Sequence, residues 1–310
     1  MIRLDNRHPI PDSLRGAIVA LGNFDGFHQG HQAVVGEAIE WARAERRPAI
    51  VATFDPHPVR VFEPEAEPFR LTTLDQRQEL FAAAGAQAML VLHFDRAMAN
   101  MSAAEWIEKE LAGHLGAVGV VTGEDFTFGK GRGGNPRFLH EEGARFGLSG
   151  RTVGPVSDDQ GVISSSRIRA ALRTGDCESA ARMLTRPFAI RAAVQHGDKL
   201  GREIGFPTAN LDLGTYLRPR YGVYAVIGRL PDGTMLKGAA NIGVRPHFEP
   251  PKELLEPHFF DFSGDLYGME IEVAFRHFLR GEAKFDSLEA LIAQIAADCD
   301  RARELLAAPA

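Results

Sequence analysis

Two different periods of apolar residues run along this chain. In the first half, continuous apolar runs at 17–21, 49–54, 88–94 and 117–122 read as buried strands, since a strand covered on both faces needs no polar alternation. Between them, apolar residues recur at helical spacing over 32–47, over 75–84 up to Gly85, and over 102–111, which opens on a Ser102–Glu105 capping-box pattern. Strand and helix in alternation predict right-handed βαβ units, and hence a parallel sheet covered on both faces. A helix from the serines at 164–166 to Leu172 and another over 176–184 follow, and Arg186-Pro187 then breaks the pattern. From Phe188 onward, short β-type runs at 188–195, 222–229, 235–242, 258–262 and 271–278 are separated by turn signals such as Pro231-Asp232-Gly233. They predict a small antiparallel barrel or sandwich. A last helix over 287–306 carries an apolar stripe of Leu288, Leu291, Ile292, Ile295 and Ala296, which should pack on the barrel. The expected fold is therefore α/β followed by β, divided as residues 1–185 and 186–310.

Composition narrows the class. A length of 310 residues suits two domains, and a net charge of −6 argues against a protein that coats nucleic acid or a basic membrane binder. No apolar run approaches a membrane span, and the first residues lack the apolar core of a signal peptide. Cys177 and Cys299 fit no metal-ligand spacing and read as reduced thiols of a cytoplasmic protein. The expected partners are small molecules, with no nucleic acid and no membrane, on a monomer or a transient homo-oligomer.

The chemistry of the first half centres on 21–31, L-G-N-F-D-G-F-H-Q-G-H, between the first buried strand and a helix. A helix N-terminus presents unpaired N–H groups and a partial positive charge, which suits phosphate. Gly22, Gly26 and Gly30 let backbone approach a ligand, and Asn23, Phe24 and Asp25 complete the candidate nucleotide-binding turn. His28 and His31, three apart at the helix entrance, can donate to phosphate oxygens and stabilise charge developing in phosphoryl or nucleotidyl transfer. The plainer alternative is a tight βα turn with two surface histidines.

Ligands of parallel sheets bind beyond the carboxyl ends of the strands, where strand order reverses. Three further loops should meet there. In T-F-D-P-H-P (53–58), Pro56 and Pro58 restrict the backbone to an extended wall. In G-E-D-F-T-F-G-K-G-R-G-G (123–134), Phe126 and Phe128 either stack on a planar ring or tuck into the core, and Lys130 and Arg132 can meet phosphates. In I-S-S-S-R-I-R (163–169), serines cap a helix whose first turn holds Arg167 and Arg169, cations set against the helix dipole and better placed beside an anion. A capped helix with surface arginines is the alternative.

In the second half, 196–211 reads H-G-D-K-L-G-R-E-I-G-F-P-T-A-N-L. Gly197, Gly201 and Gly205, interleaved with Lys199 and Arg202, suit a phosphate-covering flap that is not a Walker A loop. Thr208 and Asn210 are two apart, so in extended chain they share a side, and their oxygens are the hard ligands Mg²⁺ takes beside phosphate. Glu256 and His258 are likewise two apart, which places a candidate general base next to an imidazole.

These motifs, in this order, resemble the bacterial bifunctional riboflavin kinase/FMN adenylyltransferase family, the prokaryotic FAD synthetases. The resemblance spans nearly the whole chain and also rests on Y-G-V-Y-A-V, N-I-G-V-R-P and F-D-F-S-G-D-L-Y-G. The H-x-G-H element alone marks only the wider nucleotidyltransferase superfamily, and the P-T-A-N element joined to it is specific. The resemblance implies a Rossmann-like nucleotidyltransferase domain and a riboflavin-kinase barrel with a C-terminal helix. It further implies phosphorylation of riboflavin to FMN, then adenylylation of FMN to FAD, each with ATP and Mg²⁺. By motif, His28 and His31 would hold the ATP phosphates, and Asp125 would lie in the flavin/nucleotide loop. Ser164, Ser165, Arg167 and Arg169 would close on the triphosphate. Thr208 and Asn210 would bind Mg²⁺–ATP, and Glu256 would activate the ribityl hydroxyl. The family commonly has Thr where this chain has His247, and Val where it has Pro257; Ser166 stands where Thr is common. Proline lacks the backbone donor, so the strand through Pro257 should be an edge or bulged. An inactive kinase half, a flavin-binding protein without turnover, and a nucleotidyltransferase for another alcohol phosphate are the competing readings.

Overall fold

A computed structural model of the chain describes residues 1–196, 200–245 and 252–307. It divides into two units: residues 1–67 with 72–164, and residues 68–71 with 165–310.

The first unit holds strands β1 (Ile2–Asp5), β2 (Ile18–Leu21), β3 (Ala49–Asp55), β4 (Ala88–His93), β5 (Gly119–Gly123) and β6 (Ser149–Val153), with helices α1 (Gln29–Glu45), α2 (Pro58–Phe62), α3 (Leu74–Ala84), α4 (Arg96–Asn100), α5 (Ala103–Trp106) and α6 (Pro136–Gly143). Helix α5 opens on the expected capping box of Ser102 and Glu105 and continues into a π-helical stretch, Ile107–His114. All six strands are parallel, in the order β1-β4-β3-β2-β5-β6. Alternate strand residues feed two cores. Val19, Leu21, Ile50, Leu90 and Val120 face one, shared with Trp106 and Leu111. Ile18, Ala20, Val51, Met89 and Val121 face the other, against α1 and Phe81 of α3. Order runs outward from β2 in both directions, so the carboxyl ends of β2 and β5 flank the switch point where such sheets bind ligands. A small hairpin, β7 (Ser157–Asp158) and β8 (Gly161–Val162), follows β6.

The second unit opens on α7 (Ser165–Thr174) and α8 (Cys177–Leu184), followed by β9 (Ala189–Gln195), a one-turn helix α9 (Leu200–Glu203), β10 (Asn210–Asp212), β11 (Gly222–Arg229), β12 (Met235–Arg245), β13 (Lys252–Phe259), β14 (Glu270–Gly281) and α10 (Leu288–Ala307). The strands close into an antiparallel barrel ordered β10-β13-β12-β11-β14-β9. Packing divides the chain at Ser164/Ser165 rather than near the break expected at 185–187. The physical reason is that α7 and α8 lie on the barrel: Arg220 N–H donates to Leu172 O at 3.0 Å, and His277 Nδ1 meets Glu178 Oε1 at 2.6 Å.

Two expectations change. Closure leaves the barrel without an edge, and the β12–β13 register runs without a bulge through Ala240↔Pro257. The missing Pro257 donor falls instead on the side facing β10, whose ladder to β13 covers only Leu254 and Leu255. There the Pro257 carbonyl accepts from Ala209 N–H at 3.0 Å, so the residue keeps the bond it can make. In α10 the docked stripe runs through Ile295, Cys299, Ala302 and Leu306, while Leu288 is exposed. The expected stripe was right in period but lay too near the N-terminus of the helix.

Candidate active sites

The sharp turn after β2 starts the first site. Helix α1 begins at Gln29, three residues before the expected start, so His28 is its N-cap and His31 sits in its first turn. The His28 side chain makes no capping hydrogen bond. Its ring stacks on His31 instead, centroids 3.6 Å apart and planes 24° from parallel. Gly30 permits this, because a Cβ there would stand 3.1 Å from His28 Cε1. Gly26, at φ 88°, takes a backbone conformation that side chains resist. Two imidazoles at a helix N-terminus beside a switch point have the chemistry to meet an anion.

The rest of the turn faces inward. Phe24 is buried in the core, with its ring edge-on to His31 at 5.3 Å and to Phe81 at 5.8 Å. Asp25 is buried too, and its Oδ1 accepts from Thr72 N–H at 3.0 Å and from Thr72 Oγ1–H at 3.2 Å. These side chains shape the turn from below instead of lining its surface. Asn23 is half-buried, with its carbonyl accepting from Thr53 Oγ1 at 2.8 Å and its side-chain Oδ1 buried without a hydrogen-bond partner among the described residues.

The neighbouring loops divide similarly. Pro58 is the first residue of α2, a position that suits proline, rather than part of an extended wall. Phe128 is buried against Trp106 (5.2 Å), and Phe126 packs half-buried on it (5.7 Å), so of the two readings the aromatics are tucked into the core. Asp125, Lys130 and Arg132 are exposed. Ser164 ends the first unit, and the carbonyl of Ile163 before it lies 3.7 Å from where a Gly30 Cβ would stand. Ser165, Arg167 and Arg169 belong to α7 of the second unit. Within that unit the Arg169 guanidinium lies over the Phe69 ring, and its Nε donates to Phe69 O at 2.9 Å.

The second site is a cavity of about 420 Å³ at the barrel. Thr208, Asn210, Glu256 and His258 all line it, as do Gly201 and Arg202. Period-two geometry brings this about: Ala209 is buried between Thr208 and Asn210, and Pro257 between Glu256 and His258. His258 Nδ1 meets Pro207 O at 2.9 Å, which ties β13 to the segment carrying Thr208. Gly205 takes the left-handed conformation (φ 88°) after α9, and Phe206 N–H closes that turn on Gly201 O at 2.7 Å. Gly197 and Lys199 of the expected flap, and His247, lie outside the described residues.

Comparison with known proteins bears on both sites. The family model for FAD synthetase matches residues 10–167, and that for riboflavin kinase matches residues 184–306. A bifunctional riboflavin kinase/FMN adenylyltransferase of Escherichia coli (strain K12) is 39% identical over 293 residues, covering 93% of this chain and 92% of the relative. The chain belongs to the bifunctional riboflavin kinase/FMN adenylyltransferase family. The member from Pseudomonas fluorescens is 40% identical over 301 residues (97% and 96% covered), and that from Bacillus subtilis (strain 168) is 36% identical over 297 (94% and 93%). A crystal structure described as a macrolide-efflux protein from Streptococcus pneumoniae superimposes with a TM-score of 0.85 at 30% identity, covering 96% of this chain and 97% of its own. Among the described residues, no helix of this chain is long and apolar enough to cross a membrane.

In this family member the barrel cavity includes residues to which sequence reading gave no site role. Asn241 faces Glu256 across the β12–β13 ladder. Leu291 and Ile295 of α10 give the cavity an apolar wall, with Phe285 beside them. Arg280 and Asp298 also line it: Arg280 Nη2 donates to Asp298 Oδ2 at 2.7 Å and its Nε to Oδ1 at 3.0 Å, while Gln294 Nε2 adds a bond to Oδ1 at 2.9 Å. The signal available in the sequence was that Asp298 interrupts the buried stripe of α10, and a buried carboxylate demands a partner. Cys299 beside it is a buried free thiol, pushed up to about 11 by burial and the neighbouring Asp298 carboxylate.

Proposed function

We propose that this chain converts riboflavin to FMN at the barrel cavity and FMN to FAD at the carboxyl edge of the parallel sheet, spending one ATP at each step. The observation that carries the reading is the joint presence of Thr208, Asn210, Glu256 and His258 around one cavity that Leu291 and Ile295 also line. A lining of both polar and apolar groups suits a substrate that joins a phosphate-accepting sugar alcohol to a flat ring. In the first step the terminal ribityl oxygen attacks the γ-phosphorus, its proton passes to Glu256, and ADP leaves. In the second, a phosphate oxygen of FMN attacks the α-phosphorus of ATP, and pyrophosphate leaves beside His28 and His31. Both transfers depend on positioning and charge neutralisation more than on covalent help.

The donor set around the cavity fits Mg²⁺: a hydroxyl from Thr208 and an amide oxygen from Asn210, hard oxygens on one side of an extended segment. Those two residues would hold the ion, which when bound neutralises the phosphate charge. We place the functional division at 185/186, close to the start of the riboflavin-kinase match at residue 184, and the work in the cytoplasm, where ATP is available and thiols such as Cys177 stay reduced. The partners are riboflavin, FMN and ATP, on a monomer or transient homo-oligomer.

The test is chromatography of products formed from riboflavin, ATP and Mg²⁺, with His28→Ala and Glu256→Ala alongside. His28→Ala should accumulate FMN without FAD, and Glu256→Ala should make FAD only from added FMN. Formation of neither product by the unaltered chain would sink the proposal.

A further inference from the structure

In the first unit, buried polar side chains are concentrated in one place. Apart from Thr122, every buried polar or charged residue described there lies in the turn after β2, directly beneath it, or at the start of α3: Asp25, His28, Thr53, Thr72, Gln76 and Arg77. Arg77, on α3, is only 2% exposed. Its Nη1 donates to the carbonyl of Asn23 at 3.1 Å and to Thr53 Oγ1 at 2.8 Å. Thr53, fully buried near the end of β3, donates its own hydroxyl hydrogen bond to the same Asn23 carbonyl at 2.8 Å. On the other side of the turn, Thr72 Oγ1 accepts from Gly26 N–H at 3.0 Å.

We infer that Arg77 and Thr53 are positioning residues for adenylyl transfer, clamping the Asn23 carbonyl so that the turn presents His28 and His31 in their stacked arrangement. Two features of the turn call for such a clamp. Phe24 and Phe27 both sit at positive φ, 49° and 45°, a conformation aromatic residues adopt only when their surroundings enforce it. And Phe24, one residue from the clamped carbonyl, is the side chain whose ring abuts His31. A stability role alone does not account for the arrangement. Burying a guanidinium is costly, and an apolar side chain of similar length would fill the space without that cost. What it would lose includes the hold on Asn23 and Thr53. Neither Arg77 nor Thr53 is exposed enough to touch a nucleotide, so their effect would pass through the turn. The inference rests on the assignment of adenylyl transfer to His28 and His31.

The test uses the full chain and Thr53→Val, which keeps the shape of the side chain and deletes the hydroxyl, with Thr53→Ser as the conservative rescue. FAD formation from FMN and ATP gives kcat and KM, and riboflavin phosphorylation by the same preparations reports the integrity of the rest of the chain. Displacing aligned groups lowers the rate of the chemical step, so Thr53→Val should lower kcat for FAD formation at least about tenfold, with KM for ATP changed less than about threefold. Thr53→Ser should retain most of the rate, and riboflavin phosphorylation should stay at its original level in both. Arg77→Met should follow Thr53→Val, and Arg77→Lys should fall between Arg77→Met and the unaltered chain. Unchanged kcat in Thr53→Val overturns the inference, as does a loss that Thr53→Ser does not relieve, since that would mark a packing effect. If His28→Ala itself still makes FAD, the underlying site assignment fails; if His28→Ala is dead and Thr53→Val is unimpaired, only the clamp fails.

Discussion

Glu256 and His258 leave the same strand toward the same cavity, yet the geometry gives them separate tasks. His258 is committed through Nδ1 to the Pro207 carbonyl, so its hold is on the backbone leading into Thr208. Glu256 is a carboxylate lining that cavity together with Thr208 and Asn210. Glu256→Gln should therefore cut kcat for riboflavin phosphorylation by about 10²–10⁴-fold, the usual worth of a general base, and leave FAD formation from added FMN untouched. At His258 an asparagine places its amide N–H near the old Nδ1 position, while leucine offers no donor. His258→Leu should raise KM for Mg²⁺–ATP by about tenfold, the loss of roughly one good hydrogen bond, and His258→Asn should recover most of it. Equal effects of Asn and Leu would show that the imidazole acts in some other way. The thiols make a third expectation at this scale. Burial, reinforced by the Glu178 and Asp176 carboxylates, pushes Cys177 up to about 12, and Cys299 is raised to about 11. A raised value means the neutral thiol persists well above neutrality, and the thiolate is the reactive form. Neither residue should be alkylated by iodoacetamide at pH 8 until denaturant is added, and mass spectrometry counts the adducts. The facing of Thr208–Asn210 and Glu256–His258 was legible in the sequence because a two-residue period is local. The inward turn of Asp25 was not, because it depends on Thr72, far along the chain and joined to it only by folding.

Legibility at the scale of elements follows burial in the same way. Strands β2 to β5 are covered on both faces, and their apolar runs announce them. The two edge strands escape a hydrophobic reading: β6 has no buried residue and β1 only Leu4. Strand β10 is only three residues long and exists because β9 and β13 hold it on either side. Helix α10 was legible in period but not in placement, since its docked half is decided by the barrel. That docking includes a charged joint. Arg280 at the end of β14 and Asp298 of α10 share bidentate bonds, with the Asp298 side chain 9% exposed and that of Arg280 24% exposed. Removing one member of such a pair strands the other, so Asp298→Ala should destabilise the second unit by about 3 kcal/mol. The joint also borders the cavity, so riboflavin affinity should fall along with the midpoint of urea unfolding, whereas Asp298→Asn, which still accepts from Arg280, should lose less of both. A midpoint unchanged in Asp298→Ala would mean that α10 is held by Cys299, Ala302 and Leu306 alone.

For the molecule as a whole, the decisive fact is that each unit carries its own core, with the His28/His31 turn in one and the barrel cavity in the other. The sheet is filled from two faces by residues of the first unit, while Ala225, Phe260, Cys299 and Ala302 fill a separate cluster beneath α10. Chemistry damaged in one unit should therefore leave the other intact, and the product of the barrel becomes the substrate of the sheet. A time course from riboflavin should show FMN rising first and FAD following after a lag. A mixture sharpens the point. The His28→Ala protein should make FMN and stop there; the Glu256→Ala protein should accept FMN but be unable to make it. Combined, the two should produce FAD from riboflavin, because FMN released by one chain can be captured by the other. The lag should shorten as total protein rises at a fixed ratio, since the transfer passes through solution and depends on how fast free FMN accumulates. A lag independent of concentration would instead point to transfer within a complex of the two chains. Absence of FAD from the mixture, with each variant active in its own half-reaction, would mean that FMN does not leave the chain that makes it, and the two sites would then have to be treated as one device.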